Sequence, residues 1–141
     1  QVKKVAIAKN ISAEILPFFA KEKFIRYCLI FRLQLANANR KNIIKSIRND
    51  ERKHNQILRE LYYEFTGQIL PQDTLSNNEK NNIDYKSNLE KALFGELDAV
   101  AKYRKILGTM PSGNSYTLLM SIMTDELRHA SKYNFLIQNA K

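Results

Sequence analysis

Apolar residues recur at steps of three and four in four long stretches of the chain, with polar and turn-forming residues between them. That period belongs to amphipathic helices and not to strands. The stretches run from about Ser12 to Ala36, Arg40 to Phe65, Ser87 to near Gly108, and Ser115 to Asn139. Pro17 falls near the beginning of the first, where a missing N–H costs least. Gly67 closes the second, because glycine accepts the left-handed conformation that ends helices. Ser87-Asn88-Leu89-Glu90 has the form of a capping box and opens the third. Asn37-Ala38-Asn39 and Met110 to Asn114 are short turns, so the helices they join are antiparallel. The connector over about residues 67–86 is long and rich in Asn, Asp and Pro, and can carry the chain from one end of a bundle to the other. The expected architecture is therefore all-α. It is a single domain over residues 1–141: a four-helix bundle of two antiparallel pairs with one long crossover between helices two and three. Val2 to Asn10 adds a helical turn or two.

Composition narrows the classes. The 141 residues are 44% hydrophobic, with only 4 Gly and 3 Pro, which excludes wholesale disorder and the many tight turns of a sandwich or barrel. Cys28 is the single cysteine, so neither an internal disulfide nor a thiolate-rich metal site can form. No apolar run approaches the roughly 20 residues needed to span a bilayer. A soluble, cytoplasmic protein without a membrane partner is expected. The net charge of +9 introduces nucleic acid as an alternative partner. Against this, the cations come as scattered pairs, such as Lys3-Lys4, Arg40-Lys41 and Arg52-Lys53, which read as a solvated helix surface and not as a basic run.

The two histidines carry the chemistry. Asp50-Glu51-Arg52-Lys53-His54 lies on helix two and Asp125-Glu126-Leu127-Arg128-His129 on helix four, so both histidines share one local context. Residues three apart share a helix face, and a carboxylate and an imidazole so placed can converge on one ion. Both pairs interrupt core stripes. On helix two the stripe is Ile47, Glu51, His54, Leu58, Leu61, Phe65; on helix four it is Leu119, Ile122, Glu126, His129, Tyr133, Leu136. A buried glutamate is costly unless it is paired or bound to metal. Helix three places Glu96 in its stripe of Leu89, Ala92, Ala99, Tyr103 and Ile106, and helix one places Glu22 in a stripe of Ile15, Phe18, Ile25 and Leu29. Glu96 precedes Glu126 by 30 residues and Glu22 precedes Glu51 by 29, so in antiparallel pairs the carboxylates reach a common level. Adding 74 or 75 moves Glu22, Glu51 and His54 onto Glu96, Glu126 and His129, an internal repeat.

In these residues the chain resembles the ferritin-like di-iron carboxylate superfamily, and within it the small rubrerythrin-like proteins. The pattern is one Glu from each of two helices plus Glu-x-x-His from each of the other two, and the resemblance spans helices one to four. It implies two iron ions, with manganese as the alternative metal, held by Glu22, Glu51, His54, Glu96, Glu126 and His129. Glu51 and Glu126 would bridge the ions at the reacting centre, His54 and His129 would each cap one, and Glu22 and Glu96 would be terminal ligands. Asp50 and Asp125 would orient the histidines through their other ring nitrogens. The thiolate-free donor set favours iron or manganese over zinc, and four carboxylates balance two divalent ions.

The implied activity is that of a non-haem oxidoreductase that reduces peroxide or O2 or oxidises ferrous iron. The implied partners are a small oxidant and an external electron donor, since Cys28 cannot supply a cysteine-rich electron relay. A monomer or a homodimer is the expected assembly. Tyr103 and Tyr133 read first as core packing with satisfied hydroxyls, and Tyr103 is the candidate catalytic hydrogen-bond donor. The helix-one match departs most from the pattern: sliding it by one residue puts Lys21 opposite Glu96. Two alternatives follow. One is a basic helical bundle that binds nucleic acid or another partner, its metal site vestigial or structural. The other is a metal-free interaction module in which the Lys21 ammonium compensates the carboxylates.

Overall fold

The computed structural model describes residues 37–70 and 84–140, and these form three helices with no strand among them. We number them α1 (Ala38–Thr66), α2 (Tyr85–Leu107) and α3 (Asn114–Gln138). They correspond to the second, third and fourth helical stretches of the sequence. The expected first helix, the short N-terminal segment before it, Glu22, Lys21 and most of the crossover connector lie outside the described residues.

Each helix end has a local cause. Asn37 caps α1 by accepting the backbone N–H of Asn39 at 2.8 Å, which satisfies one of the donors that a helix start leaves without a partner. At the other end Gly67 takes a left-handed φ of 69° and returns its N–H to the Tyr63 carbonyl at 2.8 Å. The start of α2 corrects the capping box read from Ser87. The helix begins two residues earlier, and the cap is Asp84, whose side chain accepts the Ser87 N–H at 3.3 Å. An Asp carboxylate caps as well as a Ser hydroxyl and its charge also favours the helix N-terminus, so the earlier residue takes the role. The turn between α2 and α3 passes through Gly113, whose φ of 155° suits a residue without a side chain.

Antiparallel packing of α3 on α1 follows from two bonds at opposite ends of the pair. Ser115, at the start of α3, donates to Glu64 near the end of α1 at 2.8 Å, and Lys132, late in α3, donates to Ser46, early in α1, at 2.9 Å. α3 packs against α2 along much of its length, whereas α1 and α2 make no close backbone contact and meet through side chains. Those side chains form two apolar layers. Ile44, Ile47, Leu89, Ala92, Tyr133 and Leu136 fill one; Leu58, Leu61, Ala99, Tyr103, Ile106 and Ile122 are central to the other. In sequence order the residues between the two layers on all three helices are Glu51, His54, Glu96, Glu126 and His129. Apolar stripes supply the burial free energy, and polar residues interrupt them at one shared level. No helix among the described residues is long and apolar enough to cross a membrane.

Candidate metal centre

The five polar residues of that level are all buried, with exposures of 3% or less. Glu51 and His54 come from α1, Glu126 and His129 from α3, and Glu96 from α2. One donor atom from each of Glu51, His54, Glu126 and His129 lies within 4.8 Å of all the others. The two imidazoles stack obliquely, with centroids 5.6 Å apart and planes at 28°.

Each carboxylate of the Glu-x-x-His pairs approaches both imidazoles. His54 Nδ1 lies 3.4 Å from Glu51 on its own helix and 3.5 Å from Glu126 on the other. His129 Nδ1 lies 3.4 Å from Glu126 on its own helix and 3.1 Å from Glu51 on the other. Glu96 joins from α2, 3.7 Å from His129 Nδ1. Neither Nδ1 has hydrogen-bond geometry to these oxygens, so the contacts are close charge contacts around a shared centre.

The far side of each ring is tied across the helix pair. His54 Nε2 donates to Asp125 Oδ2 at 3.1 Å, and His129 Nε2 donates to Asp50 Oδ2 at 3.2 Å. A carboxylate accepts and does not donate, so these contacts place a proton on Nε2. Loss of the Nδ1 proton would then leave an Nδ1 lone pair facing the centre, the tautomer that a metal-binding histidine requires. The two aspartates are held in turn from the surface side. Arg128 forms a short ion pair with Asp125, and Lys132 stands 4.0 Å from Asp50 while donating to Ser46. These two cations escaped the sequence reading, although each lies three residues after a member of its own motif: Arg128 after Asp125, and Lys132 after His129.

Electrostatics oppose burial here. Burial alone would lower the His54 pKa, but the Glu126 and Glu51 carboxylates outweigh it and push the imidazole up to about 10. The same contest, with the same two glutamates, raises His129 to about 9. Burial likewise works to raise the Asp125 carboxyl, yet His54 and Arg128 hold it below its ordinary value. Without metal, two imidazolium charges therefore stand among the carboxylates.

The donor set among the described residues, buried carboxylate oxygens and imidazole nitrogens, is one that a divalent metal ion accepts. A metal ion can bind this buried Glu/His cluster. Tyr103, in contrast, is fully buried within the apolar layer that contains Leu58, Ile106 and Ile122; it lies seven residues beyond Glu96, about 10 Å along the helix. Comparison of the chain with protein-family models, with curated proteins and with solved structures finds no match in any of the three.

Proposed function

We propose that this chain is a di-metal carboxylate protein of the ferritin-like kind, a four-helix bundle in which Glu22 from the first helix completes a six-residue ligand set. The supporting observation is the reciprocal geometry of Glu51, His54, Glu126 and His129. Two buried Glu-x-x-His pairs face each other within 4.8 Å, and the histidine of each is held on its outer nitrogen by the opposite helix. A surface Glu–His contact has no need of either feature.

When bound, two adjacent ferrous ions supply two electrons to peroxide or O2, so the reading is a non-haem oxidoreductase of the peroxidase or ferroxidase type. The protein's own contributions follow from its residues. Glu51 and Glu126, each close to both imidazoles, neutralise positive charge at the centre. The apolar layers on either side exclude bulk water and strengthen every charge interaction between them. The outer aspartates fix the ring orientations, and the flanking Arg128 and Lys132 keep those carboxylates from carrying uncompensated charge. Reducing equivalents come from a separate electron donor.

The test is metal content per chain after anaerobic loading with ferrous iron and desalting, followed by peroxide consumption. About two irons per chain is expected, with peroxide-dependent oxidation of that iron. Glu126→Ala should remove both. Wild-type metal content and turnover in that variant would sink the assignment.

A further inference from the structure

We infer that the outward face of α1 is a docking surface for the phosphate backbone of a nucleic acid. Arg40-Lys41 and Arg52-Lys53 look like isolated pairs in the sequence, but the helix winds the cations of this segment into a line. Lys41, Lys45, Arg48 and Arg52 follow one another at steps of four, three and four, which places them on one helical face, with Lys53 beside the last. From Lys41 to Arg52 the helix rises 11 steps, about 16 Å at 1.5 Å per residue. That is the axial length of about five phosphates on one strand of a duplex.

The metal site leaves this face cationic. Asp50 and Glu51 are the acidic residues between Ala38 and Arg59, and both are engaged on the inner side. Glu51 is 2% exposed, and Asp50 accepts from His129. Lys41, Lys45, Arg48, Arg52 and Lys53 form no salt bridge with any described residue. The first turn of α1 contains no acid either, so the positive end of the helix dipole adds to the same field.

Chemistry selects the partner. The exposed positions of α1 before Leu61 are Ala38, Asn39, Asn42, Lys45, Asn49, Arg52, Lys53, Gln56 and Glu60, without one large apolar side chain. A membrane-lying helix needs an apolar face to bury. A protein interface draws on aromatic and apolar anchors and is poor in lysine. A line of Lys and Arg among Asn and Gln suits phosphate oxygens, which take both charge and hydrogen bonds. The inference is independent of the metal reading: Lys45, Arg52 and Lys53 are exposed, Lys41 and Arg48 are half-buried, the Arg48 Nε being enclosed, and none of the five belongs to the buried cluster.

Fluorescence anisotropy of a labelled 20-base-pair DNA duplex with the full chain, over a range of NaCl concentrations, tests it. Four phosphate contacts predict a slope of log K against log salt of about −3.6, hence on the order of a 100-fold loss of affinity between 50 and 200 mM. Lys45→Glu/Arg52→Glu should weaken binding at least tenfold and flatten the slope. Lys86→Glu/Lys91→Glu, the same charge change at exposed positions of α2, should stay within about threefold of wild type. Circular dichroism and iron content of both variants establish that fold and metal centre persist. Equal losses in the two variants would reduce the effect to net charge and overturn the assignment of the face. Displacement of DNA by polyglutamate at equal charge concentration would reassign it to acidic proteins.

Discussion

His54 on α1 is held by Asp125 on α3, Nε2 to Oδ2 at 3.1 Å, and the relationship is returned between His129 and Asp50 at 3.2 Å. The two Asp-Glu-x-x-His motifs therefore brace each other across the helix pair, with neither aspartate holding the histidine of its own motif. Outer partners of this kind typically contribute 10- to 100-fold in metal affinity. Asp50→Ala and Asp125→Ala should each weaken iron or manganese binding by about that factor, measured by competition with a chelator of known affinity. A wild-type affinity in both variants would show that the rings need no bracing.

Metal should stabilise the fold far more than it does in an ordinary surface site. The cluster exists only in the folded chain, so a metal present at about 1,000 times its Kd adds on the order of 4 kcal/mol. For a domain of this size that is a rise in Tm on the order of 10 °C. Differential scanning calorimetry with excess Mn2+ and then with excess EDTA reads the difference, and superimposable traces would count against a metal centre.

The metal-free protein should lose stability as pH rises above neutrality. His54 and His129 have folded pKa values of about 10 and about 9 against 6.5 in the open chain. Between those limits the folded state binds more protons than the unfolded state, so the slope of stability with pH is negative. The contribution of the two imidazolium–carboxylate contacts is complete below about pH 6.5 and fades toward pH 10. Urea midpoints of the EDTA-treated chain at pH 6, 8 and 10 should fall in that order. A rising series would contradict the charge arrangement.

Metal uptake should in turn release protons near pH 7, since His54 and His129 must give up the Nδ1 proton to act as ligands. Calorimetric titration with Mn2+ in two buffers of different ionisation enthalpy measures that release, with one to two protons per chain expected. Identical heats in both buffers would contradict it.

Tyr103 separates packing from chemistry. Its ring fills the apolar layer beside the centre, so Tyr103→Phe keeps the volume and removes only the hydroxyl. Iron content should be unchanged. A catalytic role as hydrogen-bond donor would show as a fall in peroxide turnover at full iron content; unchanged turnover would leave Tyr103 as core packing.

Periodicity alone determined much of what is described above. The residues that face the core of α1, α2 and α3 could be read from steps of three and four, because which side of a helix a residue occupies depends on local geometry alone. Glu51, His54, Glu96, Glu126 and His129 were legible for the same reason: each breaks an apolar stripe where burial of a charge needs a partner. Only tertiary structure decided what lies across from each residue. It set the exchange of aspartates between the histidines, the approach of Glu51 to His129 at 3.1 Å, and the hold of Lys132 on Ser46. It also moved the α2 cap from Ser87 to Asp84 and left Lys45, Arg52 and Lys53 of α1 exposed. These depend on the register and rotation of one helix against another, which are set by how complete side-chain surfaces interlock, and no local pattern encodes that.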